Sequence, residues 1–239
     1  MKILILVAHP DDEVILCGAT ISKLVKKNHS VFVSFYTQNC QGYFNKESQE
    51  ARKKRAIEEA KKSAEYLGFE LNFLGFHDME VEKNKGILIK KTVNEIRRLS
   101  PDVIITHSLQ DKHIDHKTLA EIVPEANFQS GCEVCGGKRK WSAELLLQGE
   151  INLEMTMPFD FQVVCSVSFN DIKNKINAFR LYSSVKGEHK TSQILIEKRV
   201  RSVAGIRGAT IGKSYGEAFI MSNFSPLNSR ALKIASMIM

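Results

Sequence analysis

The sequence predicts a single α/β domain with a Rossmann-like, doubly wound and mostly parallel sheet. The prediction depends on alternating strand-like and helix-like segments over residues 2–106, on a length of 239 residues, and on composition. Apolar residues make up 43% of the chain and charged residues 26%, a balance typical of a domain that buries a core. Four βα alternations in succession favour parallel strands with right-handed crossovers.

Short apolar segments rich in β-branched residues predict the buried strands. They are Lys2–Ala8, Ser30–Tyr36, Leu71–Leu74, Asp102–Thr106 and, later, Gln162–Ser168. Helical spacing of apolar residues, with Gly68 and Ser100-Pro101 as stop signals, predicts the helices. They are Glu13–Lys27, Glu47–Leu67, Ile87–Leu99 and Asp171–Tyr182. We predict one domain over residues 1–239, with a turn-rich loop insertion at about residues 130–142 that contains Cys132-x-x-Cys135.

A formal net charge of +7 leaves several kinds of acidic partner open. The basic residues are scattered, and no nucleic-acid recognition motif accompanies them, so we expect no nucleic-acid partner. Residues 208–214 resemble a phosphate-binding loop, but three residues separate Gly208 from Gly212-Lys213-Ser214 where that loop needs four. We therefore reject a phosphate-binding loop here. A non-catalytic nucleotide- or nucleic-acid-binding module is the alternative from another class.

The cysteines and the first apolar run indicate the compartment. Five cysteines without a regular framework favour a reduced protein over a disulfide scaffold. The run Ile3–Ala8 is far shorter than the ~20 residues of a membrane helix, and a small-residue cleavage site is lacking. We expect a soluble, cytoplasmic protein without a membrane span.

The first unusual cluster, His9-Pro10-Asp11-Asp12-Glu13, follows the first predicted strand directly. Proline and acidic residues suit the start of a helix, where free N–H groups and the helix dipole favour negative charge. In a helical turn, the side chains of His9 and Asp12 converge while Asp11 points elsewhere. One carboxylate can then bind a metal while its neighbour holds a water molecule. Helix capping alone explains any one of these acids but not the whole cluster.

The second cluster is Asp111-Lys112-His113-Ile114-Asp115-His116. It follows the strand predicted at Asp102–Thr106, and functional groups in doubly wound sheets gather beyond the carboxyl ends of strands. Three of the seven histidines lie between positions 107 and 116. A His, Asp, His ligand set leaves an open position on Zn²⁺, which is typical of a catalytic zinc site.

The two clusters together resemble the paired motifs of the LmbE/PIG-L family of zinc-dependent N-deacetylases. The resemblance rests on AHPDDE at residues 8–13 and DKHIDH at residues 111–116, with weaker similarity at His189–Gln193 and Ile211–Phe219. It implies a hydrolase that removes an N-acetyl group from an N-acetylglucosamine-type amino sugar or glycoconjugate. The Cys132-x-x-Cys135 segment is not part of the family pattern.

The resemblance also implies a role for each matching residue. Three residues would bind the metal: His9, Asp12 and His116. Asp11 would be the general base, and His113 the cationic group that stabilises the oxyanion or protonates the leaving amine. Asp115 would orient a histidine. Arg55 would reach the substrate, with Arg52 as a rival candidate and a surface salt pair as the alternative interpretation.

The expected cofactor is Zn²⁺, although the same ligands accept Fe²⁺ or another divalent ion. The expected partner is a small amino sugar or glycoconjugate, and a homo-oligomer is left open. Within the enzyme class, the alternative is a metal-dependent amidase acting on a thiol-sugar conjugate or another amide. The metal site would be the same in both cases, because only the pocket separates them.

Overall fold

The computed structural model describes residues 1–38, 48–134, 136, 139–151, 153–182, 190–222 and 228–239. The strands are β1 (Lys2–Val7), β2 (Ser30–Thr37), β3 (Glu70–Phe76), β4 (Val103–His107), β5 (Leu145–Gly149), β6 (Val163–Ser166) and β7 (Gly216–Met221). The helices are α1 (Asp12–Lys26), α2 (Gln49–Leu67), α3 (Lys85–Leu99), α4 (Ile114–Ser130), α5 (Leu153–Thr156), α6 (Phe169–Phe179), α7 (Lys190–Ala209) and α8 (Ser229–Ile238). None of the helices in these ranges is both long and apolar enough to cross a membrane.

The seven strands form one mostly parallel sheet in the order β3-β2-β1-β4-β5-β7-β6. Strands β1 to β5 pair in parallel, and β7 runs antiparallel to both β5 and β6. The chain winds outward from β1 through β2 and β3, then returns to β4 on the other side of β1. This reversal confirms the predicted doubly wound α/β fold, and it places the topological switch point between β1 and β4.

Most of the core lies in two apolar layers, one on each face of the sheet. On β1, Ile3, Ile5 and Val7 belong to one layer, whereas Leu4 and Leu6 belong to the other. Alternate residues of a strand face opposite sides of a sheet, so β1 is buried on both faces. This burial explains the uninterrupted apolar sequence at the start of the chain.

Helix α4 and strand β5 lie in a region where the sequence pattern is irregular, and we predicted neither. Helix α4 contains Pro124 in its interior, and an internal proline normally indicates a helix end. Buried residues also occur around most of this helix, including Leu119, Val123 and Ala126. The amphipathic spacing that reveals other helices is therefore weak in α4.

The predicted loop insertion at residues 130–142 lies between α4 and β5, and Cys135 is outside the described residues. The guanidinium of Arg97 on α3 is buried and donates to the carbonyl oxygens of Ser130, Cys132 and Val134 at 3.1, 2.7 and 3.0 Å. Because these acceptors all belong to the backbone, Arg97 fixes the path of this segment without using its side chains.

Helix α1 is interrupted at Cys17, whose φ of −147° and ψ of 27° are not helical. The break separates the Ile15 carbonyl from the Ala19 N–H, which would be hydrogen-bonded in a continuous helix. Lys175 Nζ donates to the Ile15 carbonyl at 2.7 Å, and Glu217 Oε1 accepts from the Ala19 N–H at 3.2 Å. Lys175 and Glu217 also form a buried ion pair at 2.6 Å. This pair therefore replaces the missing helical hydrogen bond.

We expect Glu217→Ala to lower the free energy of unfolding by about 3–5 kcal/mol, because it leaves the Lys175 ammonium buried and unpaired. Urea denaturation monitored by circular dichroism measures this change. Glu133→Ala is the control, since Glu133 pairs with Lys140 at an exposed position and its loss is expected to cost at most about 1 kcal/mol. Equal losses in the two variants would contradict the role given to the buried pair.

Candidate metal and active site

The two His/Asp clusters meet at the switch point of the sheet. The first cluster follows β1 and the second follows β4, and these strands are adjacent and parallel. Their carboxyl ends therefore lie at the same edge, where doubly wound sheets bind their ligands. A direct contact joins the two strand ends, since the Ala8 N–H donates to His107 Nε2 at 3.0 Å.

A tight turn, rather than a helical turn, brings His9 and Asp12 together. Helix α1 begins only at Asp12, and the Asp12 N–H donates to the His9 carbonyl at 3.2 Å. The Asp12 carboxylate folds back and accepts from the His9 N–H at 2.8 Å. Asp11 lies between them with φ 112° and ψ −27°, a conformation that L-residues rarely adopt. The expected convergence of His9 and Asp12 is present, but its backbone differs from the predicted one.

The second cluster forms the start of α4. His113 is the N-cap residue, and its Nδ1 accepts from the Asp115 N–H at 3.2 Å. Asp111 Oδ1 accepts from the His113 N–H at 2.8 Å, which fixes the approach to the helix. Asp115 and His116 therefore lie in the first helical turn, both buried, with their side chains directed at the first cluster.

His9, Asp12 and His116 form a candidate metal site. His9 Nδ1 lies 3.2 Å from Asp12 Oδ2 and 3.2 Å from His116 Nε2, and His116 Nε2 lies 3.3 Å from Asp12 Oδ2. Ligand atoms about 2.0–2.1 Å from a tetrahedral Zn²⁺ ion are roughly 3.3–3.4 Å apart. The three donor atoms therefore already have the mutual spacing that a zinc ion requires.

A carboxylate lies behind each of the two histidines of this site. Asp115 Oδ2 is 3.2 Å from His9 Nε2 and also accepts from the Met79 N–H at 2.8 Å. Asp111 Oδ2 is 3.1 Å from His116 Nδ1. Asp115 can accept a hydrogen bond from His9 Nε2, and the charge of Asp111 beside His116 Nδ1 favours a proton on that nitrogen. His9 Nδ1 and His116 Nε2 are then the nitrogens available to a metal.

The electrostatics of the cluster favour a cation. Burial raises the pKa of Asp12, but the neighbouring His116 and His107 outweigh it, and this pKa lies well below its ordinary value. Burial lowers the pKa of His116, but Asp12 and Asp111 raise it more, to about 9. The pKa of His9 is likewise raised well above its ordinary value, because Asp115 and Asp12 outweigh its burial. In the metal-free protein, bound protons on these two rings balance the buried carboxylates.

Two further histidines pack against the candidate metal site. His107 is fully buried and stacks in parallel on His116 with ring centroids 4.0 Å apart. Its burial, and then the charge of His116, lower its pKa to about 4, so it is neutral at pH 7. The half-buried ring of His113 lies 4.9 Å from that of His9 and 4.6 Å from that of His116. Because its Nδ1 accepts a backbone hydrogen bond, a neutral His113 carries its proton on Nε2.

The structure also brings to the site several residues that had no role assigned from the sequence. His107, Asp111 and Glu13 are buried beside the predicted ligands. Asp78, in the loop after β3, is also buried and its charge acts on His9. Asp78 precedes Met79 in a polar loop that matches no motif, so position in the fold is the only signal that identifies it.

The remaining candidates lie on other elements. Arg55 Nε on α2 is 3.9 Å from Oε1 of the buried Glu59. Arg52, the rival candidate, lies one turn earlier on α2 and is half-buried. His189 is outside the described residues. The segment Ile211–Phe219 contributes Glu217, the residue that fills the break in α1.

Fold and site together define a doubly wound α/β protein with a candidate divalent-metal centre at its switch point. The family model of the GlcNAc-PI de-N-acetylases (PIG-L) matches residues 4–127, slightly more than half of the chain. The chain therefore belongs to this PIG-L family, which confirms the resemblance read from its two motifs. No protein with a curated description gave a significant match.

Several solved structures share the fold. N,N'-diacetylchitobiose deacetylase from Pyrococcus horikoshii has a TM-score of 0.81 and 21% identity, over 93% of this chain and 84% of that one. The A40926 pseudoaglycone deacetylase Dbv21 has a TM-score of 0.70 and 16% identity, over 94% and 98% of the chains. The 4-carboxy-2-hydroxymuconate hydratase GalB from Pseudomonas putida has a TM-score of 0.77 and 18% identity, over 95% and 98%. The fold thus occurs in hydrolases and in a hydratase.

We expect Asp111→Asn to weaken zinc affinity by about 10- to 100-fold, because loss of the carboxylate behind a ligating histidine typically has this effect. Competition with a chromogenic chelator measures the affinity. Asp102→Asn is the control, since Asp102 accepts from the Lys2 N–H at the opposite edge of the sheet. An unchanged affinity in Asp111→Asn would show that Asp111 does not support His116.

We also expect zinc binding at pH 7 to release up to two protons. The metal-free pKa values of His9 and His116 are raised, so protons held by these facing rings at pH 7 must leave when the ion binds. Apparent affinity should consequently rise with pH until the pH approaches the His116 pKa of about 9. Calorimetry in buffers of different ionisation enthalpy counts the protons, and zero release would contradict these pKa directions.

Proposed function

We propose that this protein hydrolyses the N-acetyl group of an N-acetylglucosamine-type amino sugar or glycoconjugate, with a divalent metal ion, preferentially Zn²⁺, as cofactor. The observation that carries the proposal is the triangle of donor atoms on His9, Asp12 and His116, with sides of 3.2–3.3 Å. Membership in a family of de-N-acetylases and the two deacetylases of the same fold support the choice of reaction.

The protein's own residues supply the other parts of an amide hydrolysis. When bound, a divalent ion supplies Lewis acidity, which polarises a carbonyl oxygen and acidifies water. Asp11 is adjacent to the ligand Asp12 but belongs to the preceding turn and is half-buried. This position suits a general base that takes a proton from the attacking water.

His113 is placed to donate a hydrogen bond. Its Nδ1 is occupied by the Asp115 N–H, so the N–H of the neutral ring is at Nε2, and the ring lies against both histidines of the candidate metal site. It can donate a hydrogen bond to the developing oxyanion or to the leaving nitrogen. The resemblance implied a cationic His113, whereas burial, and then the charges of His116 and His9, lower the pKa of this ring in the metal-free protein. We therefore propose His113 as a neutral hydrogen-bond donor, so the proton that the leaving nitrogen needs comes from Asp11, which takes it from the attacking water.

The remaining residues of the cluster position the ligands. Asp115 orients His9, and Asp111 orients His116, each through the ring nitrogen opposite the metal. His107 provides a flat, uncharged surface against which the His116 ring packs. Arg55 remains the proposed substrate contact on α2. The hydratase of the same fold shows that the sheet alone does not determine the reaction, so the proposal depends on these side chains.

We expect Asp11→Asn to retain the metal and to lose acetate release by about 10²–10⁴-fold, the usual contribution of a general base. Asparagine tolerates positive φ better than most residues, so this variant removes the base with little strain on the turn. His116→Ala is expected to lose the metal together with the activity. Metal content and acetate release from N-acetylglucosamine conjugates are measured on both variants, before and after treatment with a chelator.

Three outcomes would contradict the proposal in different ways. Equal acetate release by Asp11→Asn and the parent removes the base assignment. Acetate release that resists complete chelation removes the metal. Activity only on an amide of a thiol-sugar conjugate, measured in the same substrate panel, replaces the amino-sugar substrate with the alternative amidase function.

A further inference from the structure

Asp11 has a backbone conformation that its own side chain does not favour. Its φ of 112° lies in a region where L-residues are rare. Such a conformation persists only where neighbouring groups hold it. Since Asp11 is the proposed general base, the groups that hold its backbone also determine where its carboxylate points.

The contacts of the Asp11 peptide groups identify the group that holds it. The Asp11 carbonyl accepts from the N–H groups of Val14 and Ile15, both at 3.1 Å, as any residue that precedes a helix does. The Asp11 N–H, in contrast, donates to Glu13 Oε2 at 3.1 Å. This side-chain contact is specific to the sequence, because a helix start does not require an acceptor at that N–H.

Glu13 is itself held rigidly. Its other oxygen, Oε1, accepts from the Ser63 hydroxyl of α2 at 2.9 Å and from the Tyr182 hydroxyl after α6 at 2.6 Å. Glu13 and Ser63 are 0% exposed, and Tyr182 is 1% exposed. Both carboxylate oxygens are therefore engaged below the surface, and Glu13 is not accessible to a substrate.

We infer that Glu13 is a positioning residue that locks Asp11 in its left-handed conformation, so that Asp11 and Asp12 point to different places. The inference rests on the proposed function only for the role of Asp11. Three packed elements, α1, α2 and the residues after α6, meet at the Glu13 carboxylate. The contact that acts on Asp11 itself is the one from its N–H to Glu13 Oε2.

Four variants separate positioning from general stability. Glu13→Met removes both acceptors at similar side-chain length. Glu13→Gln can keep the contact, because its amide oxygen can accept from the Asp11 N–H while its NH₂ group donates to the two hydroxyl oxygens. Tyr182→Phe and Ser63→Ala are matched controls, since each removes a donor to Oε1 and leaves the Oε2 contact with Asp11 intact.

Crystal structures of the metal-loaded parent and variants test the inference without relying on activity. We expect Asp11 to leave the positive-φ region in Glu13→Met and to stay in it in Glu13→Gln, Tyr182→Phe and Ser63→Ala. If Asp11 keeps its left-handed conformation in Glu13→Met, the inference is overturned. If Glu13→Met is too unstable to purify, Glu13→Asp is used under the same criteria, because it withdraws the carboxylate from Asp11 by one methylene.

Kinetics on the same proteins provide the second readout. Glu13→Met should lower kcat for acetate release by roughly 10- to 100-fold, the effect of misplacing a reacting group by about 1 Å. KM and metal content should stay near the parent values, and Glu13→Gln should recover most of kcat. An unchanged kcat in Glu13→Met, or an equal loss in Tyr182→Phe, would overturn the inference. An inactive parent would instead refute the proposed function, while the crystallographic test of Glu13 would still decide the inference.

Discussion

The geometry of the site depends on one atom, Asp12 Oδ2. It lies 3.2–3.4 Å from ring nitrogens of His9, which follows β1, and of His107 and His116, which lie on β4 and α4. A buried carboxylate is unfavourable unless positive charge or donors surround it. The rings of His9 and His116 meet this requirement in the metal-free protein, because their pKa values are raised, and a divalent ion would meet it more completely. The same anion that would bind a metal therefore also draws the two loops together, so folding and metal binding share one electrostatic cause.

The fold gives this carboxylate a fixed position through the sheet and helix α1. Strands β1 and β4 are parallel neighbours because the order in which strands join the sheet reverses after β3, and one loop follows the carboxyl end of each. The direction of the first loop also depends on helix α1. Because the helix is interrupted at Cys17, its first turn is a short separate segment. Lys175 and Glu217 close that break from α6 and β7. Elements from both halves of the chain thus hold the turn that carries Asp12.

Sequence patterns predicted this architecture wherever one physical signal dominated. The strands buried on both faces were recognised from continuous apolar runs, and the predicted helix at Ile87–Leu99 matches α3, which ends at Leu99. Prediction failed for α4, since Pro124 and burial on most sides hide its periodicity. The candidate ligands were recognisable from residue type and spacing, but the left-handed Asp11 was not, because its conformation results from contacts with Glu13. Asp111 supports His116 across a turn, a relation that spacing alone does not reveal.

The site also shows why its metal chemistry and its substrate selectivity are separate properties of the chain. His9 presents Nδ1 and His116 presents Nε2 to the same point, because Asp115 and Asp111 occupy the opposite nitrogen of each ring. All four of these side chains, together with Asp12, are mostly or fully buried and have little surface left for contact with a sugar. Exposed apolar side chains such as Met79 and Leu109 lie on the loops that follow β3 and β4. Differences in substrate within this fold are therefore expected to arise from such loops, while the buried cluster can stay constant.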